Sequence, residues 1–325
     1  MKKGLAIIMI QTRYGDLEGV TAASFYENGI FKEGMFEKCC ELTTEYGVLI
    51  PKYQITESRT KRRNAIGFYD SGIMKSIYLE NQTLINTKIN SFPVEMMTFY
   101  DDGSIHRLFP RYGQVSGFWS EEEEKKLAPN IKIVLPDITI DNKVSSICFY
   151  KNGSIKSVSL YPGETALFHK DGKVINLRFG ISFYEDGSLK SLEPADQFPI
   201  DTRIGKIIAY DNNPLGIHGD ENSLSFSKDG TVQKITTEAT LVKLTGSENN
   251  VTVIEAVKKP SMLDIEVEII VPLEIEFMDE ELQVRDSDKI LHSFLYEEYE
   301  IIAEYNLNYR IQDSCNNCDT CNKCH

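Results

Sequence analysis

Tryptophan is nearly missing from this 325-residue chain, which has one Trp against sixteen Tyr and sixteen Phe. Aromatics of that kind favour strands. Basic residues are also in short supply. Thirty-five Lys and Arg face forty-nine Asp and Glu, a formal charge of -14. Such a surface repels phosphate backbones and anionic lipids, so neither nucleic acid nor membrane is an expected partner. No apolar run approaches the ~20 residues of a spanning helix. The N-terminal run over residues 5–10 stops at Gln11, Thr12 and Arg13. It lacks the length and the small-residue cleavage site of a secretory signal and reads as a buried strand. Helix signals are scarce. Ser120 and Glu123 make one capping box, predicting two turns over 121–127 before Pro129. Glu121, Glu122, Glu123 and Glu124 are expected to face water there. The Walker A, G-x-G-x-x-G, H-E-x-x-H and G-x-S-x-G patterns are all missing, and with them the usual signatures of nucleotide, zinc-peptidase and esterase chemistry.

What the chain does have is a repeat. A Gly recurs at positions 29, 72, 103, 153, 172, 187 and 230. Four residues before each stands a Phe: Phe25, Phe68, Phe99, Phe149, Phe168, Phe183 and Phe226. Six before lies Ala23, Ile66, Met97, Ile147, Ala166, Ile181 or Leu224, and two after lies Phe31, Met74, Ile105, Ile155, Val174, Leu189 or Val232. Positions two apart share one face of a strand. Asp, Asn or Ser immediately before Gly suits a type I turn closed by a left-handed residue, the three-residue hairpin with a G1 bulge. In that register each Phe faces the apolar residue two places after its Gly. A further apolar residue five places after Gly breaks the two-residue period. Either a bulge intervenes or both faces of the sheet are covered.

Looser strand–turn–strand patterns fill the intervals, around residues 41–51, 83–96, 135–147 and 198–208. The predicted fold is all-β, an extended meander of hairpins over residues 1–235. Alternation continues through 251–254, 265–271 and 273–277, predicting a smaller β-rich unit over 236–312, with residues 296–309 strand or helix. Residues 313–325 form a Cys-rich tail. The glycine spacings are unequal, which excludes a regular propeller or short-period solenoid.

Candidate chemistry concentrates at the C-terminus. Cys315, Cys318, Cys321 and Cys324 recur at a period of three and end on His325. Nothing apolar surrounds them to support a structural role, so soft-metal binding or thiol redox chemistry is expected. Zn and an iron–sulfur cluster both remain open as cofactors. The spacing matches neither two separated zinc knuckles nor the full ferredoxin run. The other cysteines are Cys39, Cys40 and Cys148. An odd count without a signal sequence points to a reduced, cytoplasmic protein rather than a disulfide framework. Adjacent Cys39 and Cys40 read as structural. Residues 215–223 carry His218 and Asp220 between glycines, an enzyme-like spacing, but without a nameable nucleophile they read as a loop between hairpins. His106, His169 and His292 read as surface or packed residues.

The recurrent Phe-Tyr-x-[Asn/Asp/Ser]-Gly unit, clearest over residues 149–158 and 183–192, resembles the MORN-repeat variant found in many bacterial proteins. The resemblance spans about two-thirds of the chain and implies an extended sheet of successive hairpins acting as a scaffold. It carries no catalytic residues. Two functions follow as expectations. One is a non-enzymatic scaffold that binds a protein partner and holds metal in its tail. The alternative is a redox or metal-transfer protein acting through that tail.

Overall fold

A computed structural model describes residues 9–55, 59–170, 172–214, 219, 221–261 and 266–306. The fold is all-β, with twenty-eight strands and one helix among the described residues. The chain forms two compact units. One comprises residues 1–193 with 215–222, and the other 194–214 with 223–325.

Six of the seven Phe–Gly units form the same turn. In the first, Gly29 N donates to Tyr26 O and Tyr26 N to Ile30 O; equivalent pairs close the turns at Gly72, Gly103, Gly153, Gly187 and Gly230. All six glycines have φ between +77° and +90°. The acidic or amide residue before Gly bonds the backbone two places on, as Asp102 Oδ1 does from Ser104 N at 3.0 Å. Gly153 shows why Gly is needed, because at φ +86° an added Cβ would also stand 3.0 Å from Lys88. Gly153→Val is expected to cost about 1–3 kcal/mol in a urea titration, through the left-handed strain of a β-branched residue.

The expected cross-strand pairs form. Phe25 faces Phe31, Phe68 faces Met74, Phe99 faces Ile105, Phe149 faces Ile155 and Phe226 faces Val232. A bulge follows in each of these hairpins. That bulge resolves the odd step in the sequence. It returns the residue five places after Gly to the buried face, opposite the residue six places before it. One apolar row thus crosses the sheet of the first unit, Ile66–Ile77–Met97–Leu108–Ile147–Val158–Ile181. Every member is buried.

One sequence expectation is corrected. The unit around Gly172 is a different hairpin, in which Lys170 pairs with Lys173 and Phe168 faces Ile175. Val174 is therefore turned outward and exposed. Phe25 departs from the repeat too: it is 48% exposed, whereas the other six repeated Phe residues are buried. Its strand, Val20–Phe25, pairs only with Phe31–Phe36 among the described residues, so no neighbour covers it from the other side.

After four of these Phe residues a tyrosine ties one hairpin to another. Tyr26 Oη donates to Phe68 O, Tyr69 Oη to Phe99 O, Tyr100 Oη to Phe149 O and Tyr150 Oη to Phe183 O, all at 2.8–2.9 Å. Each such bond contributes about 0.5–1.5 kcal/mol. The inserted turns form a second recurrent element, Thr-x-x-Gly, in which Thr Oγ1 donates to Gly O at Thr12, Thr44 and Thr202. Tyr14 of the first packs 6.1 Å from Phe68, and its hydroxyl accepts from Met74 N. Tyr46 of the second packs 5.7 Å from Phe99, and its hydroxyl donates to Gly103 O. Lys88 of the next inserted turn donates to Asn152 O, and neighbouring Phe92 packs on Phe149. The turns at Thr12, Thr44 and Lys88 thus each close the second Phe–Gly hairpin that follows them in the chain. Nothing upstream among the described residues does this for the hairpin at Phe25.

The reverse face of the sheet is buried at its later hairpins. Ser146, Cys148, Ser157, Ser159, Ser182 and Ser191 all lie there and are buried. Gly219 and Asn222 lie across this face. A Cβ on Gly180 would sit 2.3 Å from Gly219 Cα, and Asn222 Nδ2 donates to Ser191 Oγ at 2.7 Å. Small side chains are required on the sheet because another backbone crosses it.

In the second unit the hairpin Leu224–Phe226/Val232–Thr237 continues through Leu273–Phe277, Glu281–Arg285 and Leu291–Leu295. A separate sheet joins Val251–Ile254, Thr240–Thr245 and Glu300–Tyr305, so residues 300–305 are strand. Asp229, in the turn of that hairpin, accepts from Ser227 Oγ and Thr231 N, and these bonds hold its carboxyl down to about 2, below its ordinary 3.8. A depressed folded value contributes stability above 3.8 that is lost as pH falls toward 2. Across that window the urea midpoint of the parent should fall more steeply than that of Asp229→Asn.

Candidate functional site

The sequence places its metal candidates at Cys315, Cys318, Cys321, Cys324 and His325. All five lie outside the described residues, as do His218 and Asp220. Gly219 and Asn222, between and after that pair, pack on the serine-rich face of the sheet. Cys39 and Cys40 follow the strand Phe31–Phe36 rather than lying within one. Cys39 is exposed; Cys40 is buried, donates to Asp16 O, and has its thiol pushed up by burial. His106 Nδ1 lies 3.2 Å from Thr98 Oγ1, with its ring against Tyr100, and His292 bonds Asp286 at 2.7 Å. Among the described residues no three His, Cys, Asp or Glu side chains converge as a metal site. None of their helices is long and apolar enough to cross a membrane.

The densest polar cluster was not signalled by any motif. The helix Glu121–Leu127 forms with the expected capping box, Ser120 Oγ accepting from Glu123 N and Glu123 Oε2 from Ser120 N. Glu124, expected to face water with its neighbours, is only 5% exposed. One turn of helix rotates it inward, where Arg59 reaches both of its oxygens at 2.5 and 2.9 Å. Trp119 Nε1 donates to Glu124 Oε2 and Gly113 N to Glu124 Oε1. Glu95, buried mid-strand in Ser91–Phe99, accepts from Arg59, from Arg111 at 2.6 Å and from Tyr112 N at 2.9 Å. Gly113 lies so close that a Cβ there would overlap Glu124.

Burial opposes the charged form of Glu124, but the bonds from Arg59, Trp119 and Gly113 outweigh it and hold the carboxyl below its ordinary range. Two carboxylates against two guanidiniums leave the cluster neutral. Every carboxylate oxygen already accepts a bond. The cluster clasps the segment at Arg59, the strand at Glu95, residues 111–113 and the helix to one another.

The clasp also presents residues 61–63. Beside it, Lys52, Lys61, Arg62 and Arg63 line a pocket of about 160 Å³ with Met35, Phe36, Glu37, Tyr53, Gln54, Ile55 and Tyr78. The Arg63 guanidinium lies against the rings of both Tyr78 and Tyr112, 4.1 and 4.5 Å from their centroids, in the corner where the two rings meet edge to face. The Tyr78 hydroxyl is pushed up to about 12, chiefly by burial. This concentration of cations in an acidic chain went unread in the sequence. The Lys61-Arg62-Arg63 run was its only signal, since Lys52 joins it through the fold.

Comparison with protein-family models and with curated proteins gives no match to this chain.

Proposed function

We propose that this protein is a non-enzymatic scaffold of β-hairpins, of the kind the MORN-repeat variant resemblance implies, which binds a protein partner and carries a metal-binding tail. The observation that supports it is the state of the first hairpin. Among the described residues Phe25 is half exposed, its strand has one neighbour, and no inserted turn closes its end. A pocket there is lined by Ile10, Phe25, Ile30, Phe31 and Phe68. At the next hairpins Tyr14 and Tyr46 occupy the corresponding position. The chemistry that fits is an aromatic side chain on a partner's tight turn, with an extended segment adding to the strand edge.

A photo-crosslinking phenylalanine at position 25 tests this reading. It should give a discrete cross-linked species that the same residue at Leu84, 63% exposed on another strand, does not give. Identical labelling from both positions argues against a docking edge.

The tail belongs to the same proposal. Thiolates of Cys315, Cys318, Cys321 and Cys324, with His325, make a soft-ligand set for zinc or an iron–sulfur cluster. Deleting residues 315–325 should remove most bound metal from anaerobically prepared protein while leaving the melting temperature nearly unchanged. A full-length protein that holds no metal, indistinguishable from the truncated one, sinks the metal half of the proposal. Iron and sulfide in the intact protein would favour the alternative, electron or metal transfer through the tail.

A further inference from the structure

We propose that the pocket beside the clasp binds the phosphate group of a small phosphate monoester. Four cations line it, Lys52, Lys61, Arg62 and Arg63. The carboxylates that face them are Glu37, bonded to Arg62 at 2.5 Å, and Glu80, 3.6 Å from Lys52. No carboxylate of the described residues lies within ion-pair distance of Lys61. Among the described residues the pocket therefore carries two more cations than anions, in a chain whose overall charge is strongly negative. Such an excess favours an anion of more than one charge.

Arg63 is the organising group. It is held against both Tyr78 and Tyr112, and Nη2 donates to Tyr112 O at 3.3 Å. A guanidinium held by stacking keeps its remaining donors in a fixed fork, which matches two oxygens of a phosphate and loses little entropy on binding. Arg62 is tied only to exposed Glu37 and to Thr21 Oγ1, a solvent-screened pair from which a ligand can draw it. Glu80 plays the opposite part. Its Oε2 already takes the backbone N–H groups of Tyr53 and Gln54, so those donors are filled and the incoming anion is directed to 61–63.

Size sets the ligand class. At about 160 Å³ the pocket is below the ~300–1,000 Å³ of sites that enclose whole drug-sized ligands. One phosphate group fits, with its organic part against Tyr53 and Ile55, the more exposed apolar residues of the lining. A carboxylate would use only part of the available charge, and a dinucleotide would leave most of itself in water.

The test is calorimetric titration of the full chain with phenyl phosphate, inorganic phosphate and phenol. Saturable, salt-sensitive binding of phenyl phosphate, tighter than inorganic phosphate and with none for phenol, is expected. Arg63→Gln and Lys61→Ser should each weaken it by about 10-fold, equivalent to ~1.4 kcal/mol. Lys61 is exposed and unpaired among the described residues, so Lys61→Ser reads binding even where Arg63→Gln disturbs the stacked rings. No saturable binding of phenyl phosphate, or undiminished binding by Lys61→Ser, overturns the proposal. Equal affinity for inorganic phosphate and phenyl phosphate overturns the ester assignment.

Discussion

Phe149→Ala is expected to destabilise the first unit by about 3–5 kcal/mol, while Phe25→Ala at the equivalent position costs under about 1 kcal/mol. The two residues share one motif and one turn. Their surroundings differ. Phe149 is 1% exposed, packs on Phe92, faces Ile155, and receives Tyr100 at its carbonyl. Phe25 packs edge-on against Phe31, and water reaches half of it. Removing the ring of Phe149 leaves a cavity beneath a sheet tied down on both sides. Removing that of Phe25 leaves a surface dent. Urea unfolding followed by circular dichroism compares the two. Equal losses would show that the motif, rather than its covering, sets the energy, and the account of an open first hairpin would fail.

Much of the fold was legible because its signals are local. The positive φ at Gly103 or Gly187, the Asp before it and the strand face on either side are decided within about ten residues of chain. The hairpins at 42–49 and 198–209 were readable for the same reason. Long-range features were not. The Tyr-to-carbonyl bonds span 30 to 49 residues, and nothing near Tyr100 names Phe149 as its partner. The repeated Tyr was visible as a pattern without its function. Phe168 misled because its sequence fits the motif while its turn is one register different. The bulge that returns Ile77 or Leu108 to the core was open in the sequence as one of two explanations, and only strand pairing decides between them.

The candidate site was less legible than the fold. Glu124 stands in a run of four glutamates, and charge runs usually face water. Its burial depends on Arg59 arriving from 65 residues away and on the lone Trp119 placing an indole N–H at the same carboxylate. Composition argued against any basic patch, because a net charge of -14 averages over the whole surface. The fold gathers Lys52 and 61–63 into one place, and an average cannot report that. The cysteine tail is the reverse case, a candidate read from spacing alone that lies outside the described residues.

Arg59→Met is the second change expected to cost about 3–5 kcal/mol, because it removes the shared partner of two buried carboxylates. Glu95 and Glu124 both bond Arg59 Nη2. Without the guanidinium, two negative charges stand close together with only Arg111 and neutral donors against them. Protonation of one is the available relief, so the variant should be weakest near neutrality and recover part of its loss as pH falls toward the carboxyl range. The parent should behave oppositely. Its Glu124 carboxyl is held below the ordinary 4.5, so its contribution is present above that value and is lost on acidification. Arg59→Met/Glu124→Gln removes one charge with its partner and should regain stability relative to Arg59→Met alone at neutral pH. Urea midpoints of the three proteins across the acid range measure this directly. A single variant as stable as the parent at neutrality, or a double variant no better than the single, would mean that the clasp does not hold the helix and residues 111–113 to the sheet.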